Sequence, residues 1–380
     1  MVEHFPEEEG VPGSSPGPST DMLQKVIPLT QRYERHFSAV AMVLGFISDS
    51  FFFGRIDLWQ TQLVFALYAV ICFITIPLLH WLEARGKSTS FRSLTLSVAT
   101  QFALGGFWSG FVIFYGRSAN FGASWPFLLF LALILLGNEY FRHYHSRLVF
   151  TSVLFFFALY SYAIFVVPIY TGSIGVMTFL LSGVVAVSIF AGFILILRAV
   201  ARERFLDDVW RIRAGAFLVL VLMNVFYFTN ILPPLPLSAE VSGIYHSVTR
   251  TPSGYVAQNE AGQSWKVRFL GLPPTLHVLQ GETVSAYSSV FAPTTLATSI
   301  VHQWQWRDSV QDMWVTKSMV TYSIVGGRDG GFRGYSSALI DNDGEWRVNI
   351  ETIDGRLLTR LPFIVEYVTQ SRPQEAILLK

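Results

Sequence analysis

The chain has 380 residues, of which 52% are hydrophobic and only 14% are charged. A soluble protein normally carries about 25% charged residues, so this composition indicates a membrane protein. The formal net charge of +1 gives no reason to expect a nucleic-acid partner or an acidic substrate. The single cysteine, Cys72, excludes an intrachain disulfide and a zinc site built from cysteines.

Residues 1–36 predict a disordered cytoplasmic tail. The acidic run Glu7–Glu9 is followed by a stretch rich in Gly, Pro and Ser that ends at Pro18. Such a composition cannot bury enough apolar surface to fold. The tail also lacks a charged region leading into a short apolar one, so it does not resemble a cleavable signal peptide. We therefore expect the first apolar segment to act as an uncleaved signal anchor.

Apolar runs of membrane-spanning length fill residues 37–232. Each run reaches or nearly reaches the roughly 20 residues needed to cross a bilayer. Most runs are apolar all round, which leaves no polar face for water. We predict a seven-span transmembrane domain with spans at 37–54, 57–79, 94–116, 123–140, 148–169, 175–197 and 214–232.

The placement of Lys and Arg predicts the orientation of these spans. With the N-terminus inside, the inside segments carry 13 Lys and Arg residues, whereas the outside loops carry only Arg55 and Arg117. The positive-inside rule then places the segment after the seventh span outside the cytoplasm. The charged stretch 199–213 lies on the cytoplasmic side in this topology. It fits either a connector on the membrane surface or a plain charged loop.

Asp49 is the acidic residue that lies well inside a predicted span. Ionisable groups inside membranes are costly and are often functional. We expect Asp49 to pair with Arg55 or Arg117 and fix helix packing; an ion or proton role is the alternative. These three residues form a candidate intramembrane polar site.

Residues 233–239 form a Pro-rich linker, because Pro233, Pro234 and Pro236 stop the last helix. The region 240–380 then alternates with period two between turn signals. One face carries Ile300, His302, Trp304 and Trp306; the pair Asp354-Gly355 is a hairpin signal. We predict an antiparallel β-sandwich of eight or nine strands outside the cytoplasm. The overall class is therefore a membrane helix bundle followed by an all-β domain.

Two groups of residues in this β-domain are candidates for ligand binding. Trp304 and Trp306, with Trp314, offer a stacking platform for a sugar, or they form the sandwich core. Arg333, Tyr335 and Arg347 offer an anion site, or they serve surface packing. His246, His277 and His302 are too scattered to predict a metal site. We expect neither a metal nor a cofactor.

Several separated motifs in the outer half occur in a recognisable order. They are Trp304-Gln-Trp306, Gly326-Gly327-Arg328, Phe332 to Ser336, Gly344-Glu-Trp346-Arg347-Val348 and Asp354-Gly355-Arg356. Together they resemble the bacterial domain of unknown function 2914. The resemblance implies a bacterial inner-membrane protein with a C-terminal periplasmic β-domain. That family supplies no established activity, so it assigns no catalytic residue.

Three functions fit this sequence. The first is an envelope binding or scaffolding module whose β-domain binds a glycan, a lipid headgroup or a protein. The second is a transporter or signal receptor that works through the helix bundle, and the third is a membrane-embedded enzyme. An enzyme predicts a polar cavity with converging ionisable groups. Membrane lipids are expected partners in every case.

Overall fold

The computed structural model describes residues 47, 49, 53–86, 91–118, 121–140, 148–252, 254–261, 272–328 and 330–379. The chain divides into two compact units, Met1–Asp49 and Ser50–Lys380. The tail 1–36 and almost all of the predicted span 37–54 lie outside the described residues. All elements below belong to the second unit.

Within the residues that the structure describes, six helices fill the N-terminal part of this unit. They are α1 (Trp59–Ala84), α2 (Phe91–Ser118), α3 (Phe121–Tyr140), α4 (Leu148–Thr171), α5 (Val176–Val200) and α6 (Arg202–Phe228). All except α3 are long and apolar enough to cross a membrane, and α3 contains the shorter apolar stretch Ser124–Leu136. The predicted helical N-terminal region is therefore confirmed, and these helices are compatible with a membrane protein.

Helix α6 differs from its predicted span because it begins at Arg202 rather than at residue 214. The charged stretch 199–213 is therefore neither a separate surface connector nor a loop; most of it forms the first turns of α6. Glu203 lies in the first turn, where the helix dipole favours an acidic side chain. Arg211 pairs with Asp208 one turn earlier at 2.8 Å. Helix-forming residues thus continue the helix beyond its apolar part.

Close approach of α1 and α2 depends on two glycines. A Cβ atom on Gly106 would lie 2.4 Å from the Tyr68 ring, and one on Gly110 would lie 2.4 Å from the Phe65 ring. The two glycines are separated by three residues, a spacing that permits close contact between helices. They let the large aromatic rings of α1 lie directly against the α2 backbone.

Eleven strands form the C-terminal part as far as its residues are described. They are β1 (Ser238–Tyr245), β2 (Ser247–Thr251), β3 (Gly254–Glu260), β4 (Thr275–Val278), β5 (Thr283–Phe291), β6 (Ala297–Asp308), β7 (Met313–Val325), β8 (Phe332–Leu339), β9 (Gly344–Thr352), β10 (Leu357–Tyr367) and β11 (Gln374–Leu379). The strand-rich region is confirmed, with more strands than the eight or nine predicted. The chain enters β1 directly after the prolines.

The strands form three sheets. Sheet I has the order β1-β5-β8, sheet II has β4-β10-β9-β6-β7, and sheet III has β11-β3-β2. Most pairs are antiparallel, but β4 pairs parallel with β10. The Asp354-Gly355 turn joins β9 and β10 as an antiparallel hairpin, which confirms the hairpin prediction.

The main core of the β-domain lies between sheets I and II. Trp304, Trp346 and Phe363 of sheet II pack there with Val284 and Ala286 of sheet I. Strand β5 is buried on both faces, because Tyr287 on its other face packs with residues of sheet III. This central strand therefore holds all three sheets together.

Candidate functional site

The β-domain is mounted on one end of the helix bundle. Thr294 Oγ1 donates to Asp57 Oδ2 over 3.1 Å, just before α1 begins. Thr295 Oγ1 donates to the carbonyl oxygen of Ile169 near the end of α4 over 2.6 Å. Arg356 Nη2 donates to the carbonyl oxygen of Leu232 after α6 over 2.6 Å. Three separate chain segments thus hold the β-domain.

The charged side chains at this end of the bundle also take part in the contact with the β-domain. Arg55 binds Asp57 with two hydrogen bonds of 3.1 and 2.8 Å. Its guanidinium carbon lies 5.2 Å from the centroid of the Phe291 ring on β5. Burial raises the pKa of Asp57, but the hydrogen bond and charge of Arg55 outweigh burial, so the pKa is lowered overall. Asp57, which the sequence did not single out, is therefore a carboxylate that binds Arg55.

Arg117 and Asp49 are the other two residues of the polar site that the sequence predicts. Arg117 Nη1 donates to the carbonyl oxygens of Phe53 and Gly54, so it holds the chain that leads into α1. Asp49 is helical and half-buried. The pairing of Asp49 with either arginine stays a prediction.

A groove opens between the bundle and the β-domain beside these arginines. Its volume is about 260 Å³, and its walls include Arg55, Arg117, Leu235, Glu240, Phe291 and Gly330. We call it the junction groove. It is open to solvent, and its lining combines both signs of charge with apolar side chains.

A second, more polar cavity lies on the β-domain itself. Its volume is about 360 Å³, and it is lined by Arg250 on β2, Tyr255 on β3, and Arg328 and Arg333 around the turn into β8. We call it the arginine cleft. Among the described residues, none of its three arginines forms an ion pair with a carboxylate. Asp329 lies outside the described residues.

Local contacts hold the side chain of one cleft arginine and the backbone of another. The Arg328 guanidinium carbon lies 4.7 Å from the centroid of the Phe332 ring. Tyr255 donates its hydroxyl hydrogen to the backbone oxygen of Arg333 over 3.2 Å. The Tyr335 ring is 41% exposed and lies 6.1 Å from the Tyr255 ring. The predicted residues Arg333 and Tyr335 are therefore neighbours of one cavity.

The remaining cleft residues were missed in the sequence because they come from strands far apart in the chain. Arg250 and Tyr255 face each other across the β2–β3 pair. Sheet III then carries them to β8, more than 70 residues further along the sequence. Among these missed residues, only Arg328 stood in a recognised motif, Gly326-Gly327-Arg328, and that motif does not point to an anion site.

The three candidate tryptophans lie in different surroundings. Trp304 has no exposed surface, and its indole donates to Ser336 Oγ over 3.0 Å. Trp306 is half-buried and donates to the Asp343 carbonyl oxygen over 2.9 Å. The Trp314 ring is covered by the guanidinium carbon of Arg347 at 4.0 Å. Trp304 therefore offers no face to a ligand.

Arg347 lies on sheet II, within a row of polar side chains. Its Nε donates to Gln305 Oε1 over 2.7 Å, and Arg360 Nε donates to Asn349 Oδ1 over 2.8 Å. Burial, with the nearby charge of Arg360, lowers the pKa of Arg347 to about 10. The structure places Arg347 on a different sheet from Arg333, so it does not bring these two predicted residues into one site.

A serine–histidine contact lies inside the β-domain. His302 Nε2 lies 2.8 Å from Ser288 Oγ, and its Nδ1 lies 2.9 Å from Ser336 Oγ. His302 has no exposed surface, and burial lowers its pKa to about 4. The network is enclosed by the core, so no substrate reaches it as the structure stands.

His246 and His277 converge on one carboxylate, although they looked scattered in the sequence. His246 Nε2 lies 3.1 Å from Glu260 Oε1, and His277 Nδ1 lies 2.9 Å from Glu260 Oε2. Burial raises the pKa of Glu260, but the hydrogen bonds from His277 and His246 lower it overall. In the part of the chain that the structure describes, no group of three or more His, Cys, Asp or Glu is arranged to hold a metal ion.

Comparison with known proteins identifies one segment. A family model described as "Protein of unknown function (DUF2914)" matches residues 297–365, from β6 into β10. This match confirms the resemblance for the C-terminal domain. No curated protein matches the chain.

One solved structure aligns with the chain: Pseudomonas fluorescens alkylpurine DNA glycosylase AlkC bound to DNA containing an abasic site analog. The alignment covers 82% of this chain and 99% of that one, with 10% identity and a TM-score of 0.22. A similarity this weak carries no argument about the fold or the function of this chain.

Proposed function

We propose that the protein is a membrane-anchored binding module of the bacterial envelope whose β-domain captures an anionic ligand outside the cytoplasm. The arginine cleft carries this proposal. Three guanidinium groups line one open cavity of about 360 Å³, and no described carboxylate neutralises them. In this proposal a seven-span bundle anchors the protein, and sheets I and II form a sandwich that presents the cleft.

The distribution of charge between the two ends of the helix bundle supports a β-domain outside the cytoplasm. The end that holds the β-domain carries Arg55 and Arg117. The other end carries a larger set of basic residues in the described helices and their caps: Arg85, Arg92, Arg198, Arg202, Arg204, Arg211 and Arg213. Arg204 and Glu83 join α6 to the end of α1 there at 2.7 Å. The positive-inside rule puts this basic end in the cytoplasm and the β-domain outside.

Guanidinium chemistry defines the ligand class. Arginine presents a planar fork of donors that matches phosphate and carboxylate oxygens. The Arg328 side chain is oriented by Phe332, so less of its side-chain entropy is lost when it binds, and Tyr255 holds the backbone of Arg333 beside it. Phosphate or carboxylate groups of envelope glycans and lipids carry the matching charge.

The helix bundle offers less support for a transporter. In the described helices, Asp, Glu, Lys and Arg lie near the helix ends or in the first half of α6. The central turns of α1 to α5 and the second half of α6 lack the charged residues that mark ion and proton pathways; Asp49 lies outside these helices. The enclosed Ser288–His302 contact likewise gives an enzyme no open site. Binding at the cleft is therefore the function that the geometry supports best.

The proposal is tested by calorimetric titration of the full-length protein in lipid nanodiscs. The probes are tripolyphosphate, trigalacturonate and the neutral sugar maltotriose. We expect one or both anions to bind and maltotriose not to bind. Arg333→Gln and Arg328→Gln should each weaken anion binding about tenfold, because each removes a charge-assisted hydrogen bond.

Arg307→Gln is the matched control. Arg307 is also an arginine of the β-domain, but its partners are Asp312 and Glu345 rather than the cleft. The Arg307→Gln variant should therefore bind the anions as tightly as the wild type. Binding that is equally strong for maltotriose, or that survives both cleft substitutions, contradicts the proposal.

A further inference from the structure

We infer that the junction groove holds the headgroup of a zwitterionic phospholipid that carries a primary amine. This site is separate from the arginine cleft, and the inference does not rest on the function proposed for that cleft. It depends on where the groove lies along the helices and on the charges that face it.

The groove lies at the level where the helices leave the apolar layer. Large amphipathic rings mark this level: Trp59 at the start of α1 is 69% exposed, Trp125 in the second turn of α3 is 56% exposed, and Tyr170 at the end of α4 is 80% exposed. Exposed Trp and Tyr side chains settle at the headgroup region of a bilayer. The groove opens at the same helix ends, between Arg117 of α2 and the chain entering α1.

The groove presents opposite charges on two walls. Arg117 and Arg55 bring positive charge from the bundle, and the charge of Arg55 is shared with Asp57. Glu240 brings negative charge from β1, and Ser238 Oγ donates to its carboxylate over 3.0 Å. A purely anionic ligand is attracted by one wall and repelled by the other. A headgroup with a phosphate and an ammonium satisfies both walls.

The apolar lining and the size of the groove fit the rest of such a ligand. Leu235 and Phe291 line the same space of about 260 Å³. A space of this volume admits a headgroup, whereas the acyl chains remain in the bilayer along the exposed apolar faces of the helices. A free phosphate would use only the Arg117 wall and would leave the apolar lining uncovered.

Glu240 also selects the type of amine. A primary ammonium donates hydrogen bonds to a carboxylate, whereas a trimethylammonium has no hydrogen to donate. We therefore expect phosphatidylethanolamine to bind better than phosphatidylcholine. Phosphatidylglycerol lacks the amine, so it should also bind less well.

Native mass spectrometry of the full-length protein in detergent tests this site. The protein is mixed with equal amounts of phosphatidylethanolamine, phosphatidylcholine and phosphatidylglycerol that carry identical acyl chains. We expect the ethanolamine lipid to give the dominant adduct, by at least about fivefold, as expected for a hydrogen-bonded ion pair worth about 1 kcal/mol. Equal adducts of the three lipids, or a dominant phosphatidylglycerol adduct, would overturn the inference.

Substitutions test the contributions of the two groove walls separately. Glu240→Gln should reduce the preference for the ethanolamine lipid over the choline lipid several-fold while both still bind, because the amide keeps an acceptor but loses the charge. Arg117→Gln should reduce both adducts several-fold, whereas Arg117→Lys, which keeps the charge, should retain more of them. Glu375→Gln on exposed β11 and Arg333→Gln in the cleft are controls that should change neither pattern. A preference for ethanolamine that is as strong in Glu240→Gln as in the wild type would contradict the assignment even if every variant folds.

Discussion

The guanidinium carbon of Arg356 lies 4.1 Å from the centroid of the Tyr227 ring, so a β-domain side chain packs on the last turn of α6. The same guanidinium donates to the carbonyl oxygens of Leu232 and Pro233. Arg356 follows Asp354-Gly355 in the β9–β10 hairpin. This hairpin therefore clamps the chain where it leaves the bundle, and it couples the position of the β-domain to that of α6.

Replacing Arg356 should loosen this clamp. Arg356→Ala removes a cation–π contact and two hydrogen bonds to carbonyl oxygens that become buried without a donor. We expect the free energy of unfolding to fall by about 2 kcal/mol, measured by thermal or denaturant unfolding of the purified protein in detergent. Arg372→Ala, at an exposed position, is the control. Equal stability of Arg356→Ala and the wild type would show that the clamp contributes nothing.

Gly326 sets the path of the loop that contacts the bundle. A Cβ atom at this position would lie 1.6 Å from the Pro293 carbonyl oxygen, which belongs to the loop carrying Thr294 and Thr295. Gly326→Ala must displace backbone, so we expect a loss of about 2 kcal/mol or more in stability. Gly54→Ala is the matched control, because nothing lies within 4 Å of its Cβ position. If both variants unfold alike, the close approach is not a constraint.

His302 should make stability depend on pH. Burial lowers its pKa from 6.5 to about 4, so the folded state keeps the ring neutral while the unfolded state protonates it at a higher pH. Its contribution is fully present above about pH 6.5, declines as the pH falls, and levels off below about pH 4. The loss across this window is on the order of 3 kcal/mol.

The measurement is the difference between wild type and His302→Gln in unfolding free energy at several pH values. Glutamine keeps hydrogen-bonding groups but does not titrate, so its curve should be flatter between about pH 6.5 and pH 4. The difference cancels the contributions of His246 and His277, which remain in both proteins. Parallel curves would mean that His302 is protonated in the folded state as readily as in the unfolded one.

Glu260 should hold sheet III against β4. Its carboxylate accepts hydrogen bonds from the His277 backbone nitrogen and from both His277 and His246 side chains. Glu260→Gln removes the charge that these groups surround, and we expect a destabilisation of about 1–3 kcal/mol. Hydrogen exchange of β3 and β11 should increase more than exchange of β6 and β9. Glu375→Gln, which lies on exposed β11, should have no such effect.

The sequence predicted the helices well where their apolar runs end in charged or turn residues. The predicted span 148–169 corresponds to α4, Leu148–Thr171. It failed at α6, because hydropathy marks the apolar part of a helix and not its continuation through Arg202 and Glu203. Helix-forming charged residues extend a helix into water without any apolar signal.

The strands were predicted from alternation, and alternation alone does not reveal that β5 is buried on both faces. All residues from Val284 to Val290 are buried, because sheet III covers the face of β5 that carries Tyr287. That coverage depends on β11 pairing with β3 over more than 100 residues. The arginine cleft likewise combines residues of β2 and β3 with residues around the turn into β8, and the Glu260 cluster combines β3 with β4, so neither has a local signal in the sequence.

The proposed location of the β-domain outside the cytoplasm is tested most directly by cysteine labelling. Cys72 is buried and is the single native cysteine, so Cys72→Ala provides a background for Ser371→Cys on the β-domain and Arg85→Cys at the basic end. A membrane-impermeant maleimide applied to intact spheroplasts should label the Ser371→Cys protein fully and the Arg85→Cys protein only after lysis. Labelling of Arg85→Cys in intact spheroplasts, with Ser371→Cys protected until lysis, would contradict the orientation.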